Sequence, residues 1–139
     1  FVTLKINNQL RGCIGTFELN NNIIENTKTY TLKTALEDSR FKPVSINELK
    51  HLTYSITLLN NKKLIEQKDL NKKYKLGKDG ILLECNNGKG AIYLPQVPIE
   101  QKWNRIQTLE SLSEKAGLNK NDWKNNNCNI FVIPGYEFF

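Results

Sequence analysis

The sequence is poor in the residues that mark metal, redox and membrane proteins. Its 139 residues contain three cysteines, one histidine, four prolines and no methionine. The longest apolar clusters, such as residues 81–83, are far shorter than the roughly 20 residues that span a bilayer, so an integral membrane protein is excluded. Hydrophobic residues make up 39% of the chain, which excludes a disordered protein and fits a single domain over residues 1–139. Because the first residue is Phe1 rather than Met, we expect an N-terminal part of the domain to be missing.

Metal and cofactor motifs are absent as well. Cys13, Cys85 and Cys128 are far apart in sequence, no Cys-x-x-Cys pair occurs, and His51 is the only histidine. A closed zinc site needs four clustered ligands, so we expect no metal. The glycine-rich phosphate loops and the zinc-protease and serine-hydrolase motifs are missing too, and we expect no cofactor. An odd cysteine count without a disulfide framework indicates thiols and therefore a reducing compartment, the cytoplasm or the nucleus.

The positive charge of the chain comes from lysine. The net charge is +6, yet only three of the 20 basic residues are arginine, and the 17 lysines stand beside 19 asparagines. Phosphate-binding sites favour arginine because its planar guanidinium can grip two oxygens. Lysine and asparagine both have A/T-rich codons, so we attribute the charge to compositional bias. The sequence therefore does not favour a nucleic-acid partner, although a basic nucleic-acid-associated protein remains an alternative.

Hydrophobic periodicity predicts an antiparallel sheet with helices packed on it, which is the α+β class. Alternating apolar residues predict a hairpin over residues 1–18 and further strands over residues 52–58, 81–85, 91–94 and 130–133. Asn87 and Gly88 are typical of a type I′ turn and would join two of these strands as a second hairpin. Pro134 and Gly135 are expected to end the last strand.

Capping signals predict where the helices begin and end. Asn22 stands three residues before Glu25, and Ser45 stands three residues before Glu48, so each pair is typical of a capping box. We expect the last helix to end at Gly117. In the first helix we expect four apolar side chains among the buried ones, Ile24, Tyr30, Ala35 and Leu36. The predicted helices cover residues 23–38, 45–50 and 106–116.

The strongest candidate site is the sequence Leu-Arg-Gly-Cys-Ile-Gly at residues 10–15. If Leu10 and Ile14 face the core of a strand, Arg11 and Cys13 point together to the other side. A guanidinium beside a thiol favours the thiolate, which is the nucleophilic form. Cys13 is therefore a candidate catalytic nucleophile, and Arg11 is a candidate ligand-binding residue.

The two glycines of this motif allow two interpretations. Gly12 and Gly15 leave the backbone bare, so a ligand could approach it closely, and both are candidate ligand-binding residues. The structural alternative is a buried cysteine in a strand whose glycines mark a bulge. A nucleophilic cysteine usually has a base nearby, but nothing in the sequence brings His51 close to Cys13.

A second candidate cluster follows the first predicted helix. Glu37 and Asp38 are candidate catalytic carboxylates, and Arg40 is a candidate ligand-binding residue that could line a cleft with them. The structural alternative is a salt bridge at the end of the helix that fixes the exit of the chain, since a cation such as Arg40 is favoured at the negative pole.

The segments 1–4 and 10–17 resemble the signature of the AMMECR-one domain family, whose prokaryotic members are called AmmeMemoRadiSam system protein A. Further matching segments follow in order along the chain, and the resemblance covers about residues 1–123. These matches are residues 37–41 with Pro43, Gly77 with Gly80 and Ile81, residues 94–97 with Trp103, and Lys115 with Gly117 and Leu118.

The resemblance implies an α+β fold of two sub-domains with a cleft between them, where Arg11, Cys13 and the segment 37–40 would gather. The biochemical activity of the family is not established. Its prokaryotic genes often neighbour a Memo-type protein and a radical SAM protein, which is association and not mechanism. Two departures matter. Gln96 stands where many relatives carry glutamate, and residues 131–139 do not follow the expected ending.

These observations define three competing functions. The first is a cleft that binds a small ligand or acts as an enzyme, with Cys13 at its centre. The second is a regulatory module that binds a protein partner and has no chemistry of its own. The third is the basic nucleic-acid-associated protein described above. Whether the protein is an enzyme stays open, and we expect an unidentified small molecule or protein as partner.

Overall fold

The computed structural model describes residues 1–18 and 22–139. The predicted antiparallel sheet with helices packed on it is confirmed. The chain forms two compact units, the first comprising Phe1–Leu58 with Tyr136–Phe139 and the second Leu59–Gly135. The strands are β1 Val2–Ile6, β2 Gln9–Ile14, β3 Leu52–Leu59, β4 Lys63–Ile65, β5 Asp79–Cys85, β6 Gly90–Tyr93 and β7 Cys128–Phe138. The α-helices are α1 Ile23–Leu36, α2 Leu70–Lys73, α3 Gln96–Glu100 and α4 Arg105–Lys115.

The first unit contains a three-stranded antiparallel sheet in the order β2-β1-β3. Its predicted hairpin is confirmed, and Asn7 and Asn8 form the tight turn with φ of 51° and 62°. Such left-handed residues suit a two-residue hairpin turn, and asparagine tolerates them better than most side chains do. One irregularity follows the turn. Leu4 lies opposite Gly12 whereas Lys5 lies opposite Leu10, so the residue between them is a bulge.

Helix α1 covers one face of this sheet. The side chain of Asn22 accepts a hydrogen bond from the Glu25 N–H at 2.9 Å, which confirms the predicted cap. Of the side chains expected to be buried, Ile24 and Leu36 are exposed, whereas Tyr30 and Ala35 are half-buried. The fully buried residue of the helix is Thr34. A short 3₁₀ helix, Ile46–His51, replaces the second predicted helix, with the Ser45 capping box intact.

The second unit contains the larger hydrophobic core. Strand β7 pairs with β4 and β5, and β5 also pairs with β6. Helix α4 is capped by Asn104, and it ends before Gly117, as predicted. Apolar side chains of β5 and α4 are almost completely buried together with Tyr74, which follows α2, and Trp123, which lies in a 3₁₀ helix at Asp122–Lys124. The members from β5 and α4 include Ile81, Leu83, Leu109 and Leu112.

Two strand predictions, one for the β5–β6 turn and one for the end of β7, need correction. The hairpin between β5 and β6 is present, but Gly88 has φ of 81° and Asn87 does not have a positive φ, so the turn is not type I′. The Gly88 N–H instead donates to the Cys85 carbonyl at 3.0 Å. Strand β7 also continues past Pro134 and Gly135 to Phe138, rather than ending at this pair.

The expectation that all cysteines are thiols is wrong. Cys85 and Cys128 form a disulfide with a Cα–Cα distance of 4.0 Å. They are directly opposed at the end of β5 and the start of β7, so the pairing is made by the sheet and is invisible in the sequence spacing. The sequence argument for a reducing compartment assumed three thiols, and Cys85 and Cys128 are not thiols in the structure. In the part of the chain that the structure describes, no helix is long and apolar enough to cross a membrane.

Candidate functional site

Cys13 lies on the sheet face opposite helix α1. Its partner across the hairpin is Thr3, and the Thr3 hydroxyl oxygen is 3.3 Å from the Cys13 sulfur. Thr3 in turn lies opposite Ser55 on β3. Directly opposed residues of neighbouring strands point to the same side, so these three side chains form one row. We call the side of the β1–β3 sheet that carries this row the thiol face.

The main chain of Cys13 is held on both of its polar groups. Its N–H donates to Oδ2 of Asp38 at 2.9 Å, and its carbonyl accepts from Nη2 of Arg40 at 3.2 Å. Strand β2 is the edge of the sheet, and an edge strand leaves such groups without a neighbouring strand. The Asp38–Arg40 pair therefore takes the place of a missing strand at Cys13.

The Asp38 carboxylate accepts four hydrogen bonds. Besides the Cys13 N–H, it accepts bonds from the main chain and from two guanidinium nitrogens of Arg40, the shortest at 2.7 Å. The Arg40 guanidinium holds the pKa of Asp38 far below its usual value, although burial acts in the opposite direction. A carboxylate with such a low proton affinity is a poor base at neutral pH, but it is a strong anchor for the loop.

Arg11 is the bulge residue of β2, and its guanidinium pairs with Glu48. Two bonds of 2.8 and 3.1 Å join the groups, and Glu48 also accepts from the Ser45 N–H at 2.7 Å. The Arg11 guanidinium lowers the pKa of Glu48 to about 2, and Glu48 raises the pKa of Arg11. Because a bulge breaks the strand alternation, Arg11 is aimed at the capping residue of the 3₁₀ helix.

The ring of Phe41 lies close to both ion pairs. The guanidinium carbon of Arg11 is 5.8 Å from the ring centroid, and that of Arg40 is 5.5 Å from it. Both distances allow a cation–π attraction. Phe41 therefore links the Arg11–Glu48 pair to the Arg40–Asp38 pair beside Cys13.

The two glycines of the motif are required by packing within the chain. A Cβ on Gly12 would lie 2.7 Å from the carbonyl oxygen of Thr34 in α1. A Cβ on Gly15 would lie 2.3 Å from the ring of Phe1. Gly12 thus allows α1 to approach the sheet, and Gly15 makes room for an aromatic ring on the thiol face. Neither observation requires a ligand at these positions.

Of the predicted site residues, the structure brings Cys13, Asp38 and Arg40 into contact and places Arg11 beside them through Phe41. Glu37 ends α1 and is exposed, and its carboxylate bonds to no residue within the described ranges 1–18 and 22–139. Sequence reasoning assigned Glu48 only a capping role, although it is also the partner of Arg11.

Two further residues near the site were missed. Thr34 is 1% exposed, and its hydroxyl oxygen accepts from the Ile14 N–H at 3.2 Å. A threonine inside an exposed helix carries no sequence signal for this role. Thr3 was assigned to a strand, but its contact with Cys13 depends on the hairpin register.

The described residues of the site do not form a metal-binding arrangement. Among the described residues, no three histidine, cysteine or carboxylate side chains lie close enough together to hold an ion. The site contains a thiol, several hydroxyls, two bidentate ion pairs and an aromatic ring. This set can hydrogen-bond a small molecule and present a sulfur to it.

Comparisons with known proteins bear on the family and the fold of the chain. The AMMECR1 family profile matches residues 1–136. A protein of Methanocella arvoryzae is 35% identical over 142 residues, covering 99% of this chain and 71% of that protein. An uncharacterized protein of Arabidopsis thaliana is 37% identical over 116 residues, covering 80% of this chain and 52% of its own length.

A solved structure has the same fold. The crystal structure of the uncharacterized protein PH0010 from Pyrococcus horikoshii superposes with a TM-score of 0.82 at 30% identity, over 98% of this chain and 70% of that one. The chain therefore spans between about half and about 70% of the length of these relatives. With a family match across nearly its whole length, this chain belongs to the AMMECR1 family.

Proposed function

We propose that the first unit binds a small molecule on the thiol face, with Cys13 as the residue that contacts it and can attack it. The observation that supports this function is the clamp on the Cys13 main chain. Asp38 and Arg40 hold its N–H and its carbonyl at 2.9 and 3.2 Å. Because both polar groups of the Cys13 main chain are hydrogen-bonded, the position of the thiol is defined although β2 is an edge strand.

The clamp gives Asp38 and Arg40 a positioning role. The Asp38 carboxylate already accepts four hydrogen bonds, so it has little capacity to take a proton from a substrate. Arg11 is committed to Glu48 in the same way. Catalysis, if the site performs it, would rest on the Cys13 thiol, whose sulfur forms the new bond while the leaving group departs.

Alkylation in the native state tests this function. Iodoacetamide forms an S–C bond with a thiolate and releases iodide, and mass spectrometry then locates the modified cysteine. We expect Cys13 in the folded protein to react within about tenfold of its rate in the unfolded chain, since its residue is partly exposed. Cys85 and Cys128 should not react without a reductant. If Cys13 reacts only after unfolding, the proposed function is wrong.

A second candidate function is a regulatory module that binds a protein partner. Ile46 and Leu49 favour it, because these apolar side chains of the 3₁₀ helix are 86% and 59% exposed. Under this function, alkylation of Cys13 would leave the proteins that co-purify with the chain unchanged. Replacing Ile46 and Leu49 by lysine would reduce the amount of these co-purifying proteins. The opposite pattern would favour the small-molecule site.

A further inference from the structure

We propose that Cys85 and Cys128 form a reversible oxidation site, which a dithiol opens and a disulfide oxidant closes again while the second unit stays folded. This inference concerns the second unit and does not depend on the thiol face. The S–S bond lies between two exposed loops, residues 86–89 and 125–127, so its oxidation state determines how firmly these loops are held.

The sheet brings the two sulfurs together without help from the bond. Cys85 and Cys128 are the last of seven directly opposed pairs between β5 and β7. Another of these pairs is Ile81 with Val132, and both side chains are at most 4% exposed in the core of the unit. Main-chain hydrogen bonds and apolar burial therefore hold the two strands in register whether or not the sulfurs are joined.

Reduction leaves two thiols that are placed to join again. The Cα atoms of Cys85 and Cys128 are 4.0 Å apart, far inside the roughly 7 Å beyond which two cysteines cannot be bridged without backbone movement. Because the register keeps the thiols opposed, their reaction with each other is effectively unimolecular. Both residues are half-buried, which gives a small dithiol access to the bond.

The chemistry of the site is thiol–disulfide exchange. A thiolate of the dithiol attacks one of the two sulfurs, forms a mixed disulfide and releases the other cysteine as a thiolate, which takes up a proton. The second thiol of the reagent then displaces the first cysteine. Cys85 and Cys128 thereby gain two electrons and two protons, and the dithiol becomes a cyclic disulfide. Oxidised glutathione reverses the exchange and leaves as two molecules of glutathione.

The two loops have few other ties to each other. In the part of the chain that the structure describes, one main-chain hydrogen bond joins them, from the Asn86 N–H to the Asn127 carbonyl at 2.8 Å. The Cys85 N–H donates to the Lys89 carbonyl, and the Cys128 N–H likewise bonds within its own loop. Exposed segments with few contacts open locally at little cost. Opening the S–S bond therefore loosens this end of the sheet and leaves the core in place.

Labelling of the native protein tests the proposal in Cys13→Ser, which keeps only the two cysteines of the site. N-ethylmaleimide adds to free thiols, so we expect no label before treatment with dithiothreitol and two labels after it, without urea. The folded protein should be reduced within about 100-fold of the rate of the urea-unfolded chain. Oxidised glutathione should then restore the unlabelled chain. Labelling that requires urea, or oxidation that links different chains, would overturn the proposal.

Hydrogen–deuterium exchange shows what reduction loosens. In reduced Cys13→Ser we expect peptides of the two loops to exchange about tenfold faster or more, whereas helix α4 should stay protected over the same time. The matched control adds Cys85→Ser and Cys128→Ser, and its loops should exchange as in the reduced protein and ignore dithiothreitol. Loss of protection in α4 would show that the fold requires the bond, and unchanged loops would show that the bond restrains nothing. Either result refutes this inference and leaves the proposed function, which alkylation of Cys13 tests separately.

Discussion

The carboxylate of Asp38 accepts a hydrogen bond of 2.9 Å from the main-chain N–H of Cys13, across 25 residues of sequence. This bond ties the segment after α1 to the edge strand of the first unit. The same carboxylate holds Arg40, which in turn bonds the Cys13 carbonyl. One buried side chain therefore fixes both the exit of a helix and the position of the candidate thiol.

Replacing Asp38 by asparagine should lower the unfolding free energy of the first unit and make it depend less on pH in the acidic range. The folded pKa of Asp38 is lowered, so its contribution is fully present above its unfolded pKa of about 3.9 and is lost as the pH falls through the folded pKa. We expect Asp38→Asn to lose about 2 kcal/mol of unfolding free energy at pH 7. Urea unfolding between pH 7 and pH 2 measures both effects.

Glu37→Gln is the matched control for this experiment. It changes the neighbouring carboxylate, which is exposed and bonds no described residue, so stability and its pH dependence should stay as in the original protein. Glu48 contributes to the acid response as well, because its folded pKa of about 2 lies below the usual value. Equal pH profiles for Asp38→Asn and Glu37→Gln would contradict the anchoring role of Asp38.

The hydroxyl of Thr34 should be worth more than its place in a helix suggests. It bonds the Tyr30 carbonyl at 2.6 Å and the Val2 carbonyl at 3.2 Å, and it accepts from the Ile14 N–H. Thr34→Val keeps the shape but leaves the Ile14 N–H without its acceptor, so we expect a loss of about 1–3 kcal/mol.

Thr31→Val offers the comparison within the same helix. The Thr31 hydroxyl is exposed and bonds only the Thr27 carbonyl one turn earlier, so its removal should change the unfolding free energy by less than about 0.5 kcal/mol. Thermal or urea unfolding of both variants decides the matter. A Thr34→Val protein as stable as Thr31→Val would show that this hydroxyl does not join α1 to the sheet.

The features that could be predicted from the sequence are those encoded locally. Alternation gave the first hairpin, and the spacing of Asn22 to Glu25 gave the start of α1. The Ser45 capping box was also correct. Each of these depends on residues within one turn or one strand of each other, where propensity and capping act directly.

The contacts that build the site depend on long-range register. The Arg11–Glu48 pair spans 37 residues, and it requires a bulge whose position the strand pattern does not reveal. Ile24 and Leu36 were expected in the core, but α1 meets the sheet where Gly12 permits close approach, through Thr34. The packing of α1 against the sheet, and not the hydrophobic periodicity of the helix, therefore determines which of its residues is buried.

Gly12→Ala should separate helix α1 from the sheet. Its Cβ would lie 2.7 Å from a backbone oxygen of Thr34, which no side-chain rotation can relieve. Overpacking of this kind costs about 1–3 kcal/mol. Gly80→Ala is the control on strand β5, since its nearest neighbours would be 3.4 Å away and its stability should stay within about 1 kcal/mol of the original. Similar unfolding midpoints for the two variants would refute a packing requirement at Gly12.

The disulfide between Cys85 and Cys128 should stabilise the second unit chiefly by restricting its unfolded chain. The two residues are 43 apart in sequence, and closing a loop of that size contributes about 2–4 kcal/mol. Dithiothreitol should therefore lower the urea midpoint, and a Cys85→Ser, Cys128→Ser double variant should unfold at the same lowered midpoint with or without reductant. Cys13→Ser keeps the disulfide, so its midpoint should still respond to dithiothreitol as the original protein does. A midpoint of the original protein that ignores the reductant would mean that the two sulfurs are not joined in solution.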